Sequence, residues 1–291
     1  MIASSPPAAV AALAAVGVLF LLLWGLCHWP LAHLIQAVQA GGRRAATRFL
    51  GSRAGRWAAS HAGPLGAWAP MALVLVVGGL AAIGAGTLFV ELAEEVRRTS
   101  SAVVRADLAI QVRLGQERQP ALTMLLGAAT RVGGTAGLVA LVAVVAAVLL
   151  LRKARASAAF LVVMAGAGAL LNVGLKLVFA RARPDLASAI AVAQGYSFPS
   201  GHAMGSFITF GALAYLLLRQ AWPWAARSAG LALAMTAVIL VGLSRVYLGV
   251  HWASDIAGGW SAGAAWLVSG VTAFELLLRH RGEAVVRPGA G

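Results

Sequence analysis

Cysteine occurs once in these 291 residues, as Cys27. A single thiol excludes an internal disulfide and any cysteine-based metal centre, and its place at the end of an oily run fits a small packed or lipid-facing residue. Charge is scarce too: 11% of residues are Asp, Glu, Lys or Arg, against 60% that are hydrophobic. So little charge leaves almost no stretch able to form a soluble helix with one polar face, which excludes a water-soluble globular domain and defines a polytopic membrane protein. Acids are the scarcest of the charges, and the net charge is +14. In a soluble protein that excess would suggest nucleic acid. Here the cations divide among loops that alternate across the membrane, so no nucleic-acid partner is expected.

Apolar runs long enough to cross about 30 Å of hydrocarbon lie near 8 to 27, 70 to 90, 124 to 151, 157 to 179, 203 to 218, 225 to 243 and 256 to 278. The expected fold class is all-α, a membrane helical bundle of seven spans. The run at 203 to 218 is short, and Arg131 with Gly133-Gly134 interrupts the third run. The first run lacks a basic leader, so a retained anchor is expected rather than a cleaved signal peptide. Residues 1–66 read as this anchor and a basic interfacial segment, 67–279 as the core and 280–291 as a tail.

The loop charges orient the bundle. Arg43, Arg44, Arg48, Arg53, Arg56, then Arg152, Lys153, Arg155, then Arg219 and Arg227, then Arg279, Arg281 and Arg287 fall on one side, and basic loops stay in the cytoplasm. The segment from 91 to 120 lies on the other side, with Arg97, Arg98, Arg105, Arg113 and Arg118 balanced by Glu91, Glu94, Glu95, Asp107 and Glu117. Its spaced apolar residues suggest an amphipathic helix at the interface.

Three short stretches stand out from this background: Lys176 with Arg183-Pro184, Pro199-Ser200-Gly201-His202, and Ser244-Arg245 with His251 and Asp255. Lys176 and Arg183 are seven apart and would share a face if the helix continued. Ser200 suits an N-cap, which would aim the N–H groups of Gly201 and His202 at an anion. The roughly 40 residues between His202 and Ser244 suffice to cross the bilayer and return, so all three stretches meet on the face opposite the basic loops, the periplasmic side in a bacterium. His251 and Asp255 are four apart, on one helix face.

The residue types describe phosphoryl transfer. Lys176, Arg183 and Arg245 can neutralise a phosphate and its transition-state charge, with Ser200 and the Gly201 backbone adding donors. No metal or other cofactor is then required. Asp255 can fix the tautomer of His251 and stabilise its phosphorylated form, which makes His251 the expected nucleophile. His202 would protonate the leaving oxygen and later activate water.

In these residues the chain resembles the type 2 phosphatidic acid phosphatase (PAP2) family, whose signature is K-x6-RP, PSGH and SR-x5-H-x3-D, with every fixed position present. The resemblance spans roughly 67 to 279, and it implies a six-helix core in the last six spans with the first span outside it. It further implies a metal-independent phosphatase acting on membrane lipid phosphates or diphosphates, such as phosphatidate, phosphatidylglycerol phosphate or undecaprenyl diphosphate. Inhibition by vanadate follows from the site that the family shares with vanadium haloperoxidases. Two other uses of the same residues stay open: a lipid phosphotransferase, and a transporter or binder that keeps the charges for passage.

Other charged and aromatic residues read as structural. Arg131 and a Glu275–Arg279 pair fit snorkelling or helix-surface roles. His28, His33, His61 and His280 suit headgroups or water. Trp24, Trp68, Trp222, Trp224 and Trp252 suit an aromatic belt.

Overall fold

The computed structural model describes residues 6–52, 63–98, 100–184, 189–191 and 193–281. Every regular element among them is a helix: α1 Pro6–Gly51, α2 Gly63–Arg97, α3 Ala102–Gln116, α4 Pro120–Val132, α5 Thr135–Leu151, α6 Arg155–Phe179, α7 Gly201–Leu218, α8 Trp224–Tyr247 and α9 Ala253–His280. Helices α1, α2, α6, α7, α8 and α9 are each long and apolar enough to cross a bilayer. The remaining expected span is α4 and α5 together, bent by 52° at Gly133 and Gly134. A glycine pair is a recognised cause of such a kink, and here it also admits a neighbour. A Cβ on Gly133 would stand 2.2 Å from the Val241 side chain, so α8 occupies the space that a larger residue would need.

The bundle packs as membrane helices do, with small residues where helices approach closely. Phe89 of α2, Phe179 of α6 and Phe198 before α7 form an aromatic knot, with ring centroids 5.2–5.6 Å apart. Phe160 stacks on Phe274 at 4.6 Å nearer the opposite end. Aromatic pairs at such spacings add about 0.5–1.5 kcal/mol each beyond the area they bury. The knot lies directly under the loops that carry the conspicuous residues, and fixes where they start.

Several expectations change in detail. Helix α1 does not stop at the membrane border but runs on through Pro30 to Gly51; Arg53, Arg56, His61 and Arg287 lie outside the described residues. His28 and two belt tryptophans are packed rather than turned to headgroups: Trp24 Nε1 donates to Ser228 Oγ at 3.1 Å, His28 Nδ1 lies 3.1 Å from the same oxygen, and Trp224 Nε1 donates to the His28 carbonyl at 3.0 Å. These bonds tie α1 to α8. Cys27 is buried, with its sulfur 3.8 Å from that of Met235. Glu275 does not pair with Arg279. It meets Arg219 and accepts from Tyr215 Oη at 2.5 Å, because α7 brings both within reach across the helix interface.

The segment expected to form an amphipathic helix does so as α3, capped by Ser101, whose Oγ accepts from Val104 N at 3.2 Å. Its buried residues are polar, Asp107 and Gln111, while Leu108 and Val112 are exposed. The face turned to the bundle thus carries hydrogen-bonding groups, and their partners lie in the candidate site.

Candidate active site

Helix α6 ends at Phe179, with Ala180 in the left-handed conformation at φ 45°. The helix stops before Arg183, and Pro184 follows it, so Lys176 and Arg183 do not share a helix face as the seven-residue spacing suggested. The residues beyond the helix do something else. Arg181 and Arg183 both reach the segment that opens α9. Arg181 Nη1 meets Asp255 Oδ1 at 2.7 Å, and Arg183 Nη1 lies 3.1 Å from His251 Nε2.

Arg183 is fastened by carbonyls on every side: Gly195 at 2.9 Å, Gln194 at 2.9 Å, Tyr196 at 3.3 Å and Val250 at 2.8 Å. Lys176 Nζ donates to the Tyr196 carbonyl at 2.5 Å. The loop before α7 is therefore stitched to both cations. Burial moves the Arg183 pKa below its ordinary value, opposed by the nearby Asp255 carboxylate; a guanidinium keeps its charge regardless.

Ser200 caps α7 as expected, its Oγ accepting from Ala203 N at 3.4 Å. Its own N–H donates to the Asp255 carbonyl at 3.0 Å, which locks the start of α7 to the start of α9. The first N–H groups of a helix have no partner within it, and those of Gly201 and His202 occupy that position. A Cβ on Gly201 would stand 2.9 Å from Asn172 Oδ1 and 3.9 Å from Lys176 Cε, so the first and second stretches abut. His202 lies in the electrostatic reach of Arg245, His251, Arg183 and Lys176. Its Nε2 would be 3.4 Å from a Cβ on Gly134, which places the break in the α4–α5 span beside it.

Arg245 closes α8 as its last-turn cation and is buried, 7% exposed. Its Nη1 donates to Thr130 Oγ1 at 2.6 Å, and its Nε has no partner among the described residues. Ser244 bonds back to the Val241 carbonyl at 2.6 Å, a backbone-bracing contact rather than one aimed at the site.

His251 sits just outside α9, two residues before Ala253, yet its Nδ1 lies 3.1 Å from Asp255 Oδ2. The guanidinium of Arg183 can only donate, so Nε2 must be the accepting nitrogen and the proton is on Nδ1, toward the carboxylate. Burial, outweighing the Asp255 carboxylate and helped by Arg183 and Lys176, pushes the imidazole pKa down to about 4. At neutral pH the ring is an uncharged base with its lone pair at Nε2, among Arg183, Lys176 and Arg245.

Four participants escaped the sequence reading. Arg181 bridges Asp255 and Asp107, with Nη2 2.8 Å from Asp107 Oδ2. Asp107 also accepts from Ser254 N at 2.9 Å, and Gln111 Nε2 donates to the His251 carbonyl at 2.7 Å. The signal for α3 was the spacing of Asp107 and Gln111, four apart and so on one helix face.

An all-helical membrane bundle whose span ends gather phosphate-suited cations around a carboxylate-held histidine has the form of a membrane phosphatase. The sequence model of the PAP2 superfamily matches residues 156–277. Over 166 residues the chain is 33% identical to phosphatidylglycerophosphatase B of Bacillus subtilis, covering 56% of this chain and 81% of that protein. It is 40% identical over 72 residues to an undecaprenyl-diphosphatase of Sulfolobus acidocaldarius, covering 25% of this chain and 30% of the relative. Among solved structures, the transmembrane PAP2-type phosphatidylglycerolphosphate phosphatase of Bacillus subtilis superposes with a TM-score of 0.60 and 28% identity, over 71% of this chain and 99% of that one. The chain belongs to the PAP2 superfamily.

Proposed function

We propose that this membrane lipid phosphatase removes a phosphate from a lipid monophosphate or diphosphate on the outer, periplasmic face of the inner membrane, through a phosphohistidine at His251. The observation that carries the reading is the bonding of one ring: Nδ1 to Asp255 at 3.1 Å and Nε2 to Arg183 at 3.1 Å. It supports an imidazole oriented as a nucleophile and surrounded by phosphate ligands.

In the first step Nε2 attacks phosphorus, the bond to the leaving oxygen breaks, and His202 gives that oxygen its proton. In the second, water attacks the phosphohistidine, His202 takes the water proton, the N–P bond breaks and inorganic phosphate departs. Lys176, Arg183 and Arg245, with Ser200 and the N–H groups opening α7, bind the non-bridging oxygens. Asp255 balances the cationic ring. The outer placement rests on loop charge, because Arg152, Lys153, Arg155, Arg219 and Arg227 lie at the span ends away from the site. The core of this machinery is 67–279, with 1–66 as an anchor and 280–291 as a tail.

The relatives' names supply the substrates to try, phosphatidylglycerol phosphate and undecaprenyl diphosphate. Purified protein in detergent micelles should release inorganic phosphate from at least one. His251→Ala should lose at least about 10³-fold, as removal of a covalent nucleophile does, and should form no acid-labile phosphoenzyme. Turnover that persists in His251→Ala would sink the reading. Label passing to a second lipid in place of water would make the enzyme a phosphotransferase, and transport without phosphate release would make it a binder.

A further inference from the structure

Asp107 and Arg181 belong to no part of the three-stretch signature, yet they form a densely bonded buried charge group with Asp255. The Arg181 fork donates to Asp255 Oδ1 at 2.7 Å and Ser254 Oγ at 2.7 Å through one nitrogen, and to Asp107 Oδ2 at 2.8 Å through the other. Asp107 in turn accepts from Ser254 N at 2.9 Å and from Ser254 Oγ. The two carboxylate side chains are 2% and 0% exposed, and that of Arg181 is 13% exposed.

A buried ion group of this kind is poor evidence of stability, since desolvation offsets much of the attraction and apolar replacements often do as well. Its location argues for another use. Asp255 Oδ2 receives His251 Nδ1 at 3.1 Å and Trp252 N at 2.9 Å, while Oδ1 is held by Arg181. With both oxygens bonded the carboxylate cannot rotate, and neither can the ring that donates to it. One helical turn from Asp107, Gln111 Nε2 donates to the carbonyls of His251 at 2.7 Å and Val246 at 3.2 Å. Helix α3 therefore grips the segment bearing His251 at two points, through the side chain and through the backbone.

We propose that Asp107 and Arg181 are positioning residues of the reaction: Asp107 orients the Arg181 fork, Arg181 fixes the Asp255 carboxylate, and Asp255 fixes His251 with Nε2 directed at phosphorus. The proposal rests on His251 being the nucleophile. Asp107 acts on the reaction only through Arg181, Asp255 and His251, so its loss acts on the rate of the chemical step and leaves binding of the phosphate to Lys176, Arg183 and Arg245 in place. Partners one shell out from a reacting group are worth about 10–100-fold when removed.

The test uses full-length protein in detergent micelles with phosphatidylglycerol phosphate. Phosphate release is measured per folded enzyme, with the folded fraction taken from gel filtration and thermal unfolding. Asp107→Asn should lower kcat about 10–100-fold with KM within about threefold. Asp107→Glu, which restores a carboxylate, should recover part of that loss. Arg181→Lys should fare no better than Arg181→Ala, because one ammonium cannot hold two carboxylates as a planar fork does. If Asp107→Asn does not fold, Ser254→Ala removes one of its partners and should show the same fall in kcat at smaller size. Wild-type kcat in Asp107→Asn overturns the proposal, as does a loss confined to KM, an Asp107→Glu no better than Asp107→Asn, or, in that fallback, a Ser254→Ala with unchanged kcat. An active His251→Ala overturns the nucleophile assignment itself; an inactive His251→Ala beside a fully active Asp107→Asn removes only the positioning roles.

Discussion

Gly259 lies against Ser200, backbone to backbone: a Cβ on the glycine would stand 2.8 Å from the Ser200 carbonyl oxygen and 3.1 Å from Met204 N. Helix α9 thereby touches the first turn of α7, and the two span ends carrying His202 and His251 share one contact. Gly259→Ala must push them apart, since backbone atoms cannot swing away as a side-chain tip can. Overpacking of this order costs about 1–3 kcal/mol. Thermal unfolding in micelles should show the loss, and kcat of the folded fraction should fall with it; an unchanged kcat would mean the two ends tolerate separation.

His202→Ala separates the two chemical steps. General acid–base catalysis contributes about 10²–10⁴-fold, so turnover of an alkyl phosphate should fall by that order. A nitrophenyl phosphate, whose leaving group needs no proton, should be spared in the first step only. Phosphoenzyme should then accumulate, detectable as acid-labile label on the protein. Equal losses on both substrates with no accumulation would remove His202 from the acid–base role.

The depressed pKa of His251, about 4, has a definite sign in the pH profile. Above that value the ring is neutral and able to attack; below it the ring protonates and activity falls. The limb in kcat/KM from His251 thus lies near pH 4, below the step that a phosphate's second ionisation gives near 6. Arg183 is one of the groups that depress the ring, so Arg183→Gln should move the lower limb toward neutral pH and leave the substrate's limb alone, along with a large fall in overall rate. A lower limb that does not move would remove Arg183 from contact with the ring.

The scarcity of cysteine makes the outward placement simple to test. In a Cys27→Ser background, Glu117→Cys at the site end of the bundle should react with an impermeant maleimide on intact spheroplasts, since the Glu117 side chain is 63% exposed. Arg152→Cys at the opposite end should react only after permeabilisation. The reverse pattern would turn the site to the cytoplasm.

Fold and site were legible in the sequence to different depths, for physical reasons. Spans announce themselves because hydrocarbon demands about 20 apolar residues, and even the break at Gly133-Gly134 was visible. The pairing of His251 and Asp255 was readable from their four-residue spacing, although His251 precedes α9 and Asp255 reaches back to it across the helix start. The Arg181–Asp107 contact joins residues 74 apart, and no local pattern encodes which loop a buried guanidinium will reach. Helix α3 was expected as an amphipathic helix, but which residues would face the bundle was not legible. The buried face carries Asp107 and Gln111, since leaving Arg181, Ser254 and the carbonyls of Val246 and His251 unpaired would cost more than exposed leucine and valine beside lipid.

His251 and Asp255 stand at the threshold of α9, which runs to His280. During synthesis the cations of α6 and α8 therefore emerge before the group they serve. A chain elongated only as far as Tyr247 already holds Lys176, Arg183, Ser200 and Arg245 but lacks both His251, the proposed nucleophile, and Asp255. On the proposed assignment the chemistry has to wait until α9 is being laid into the membrane, because the ribosome delivers His251 after Lys176, Arg183, Ser200 and Arg245.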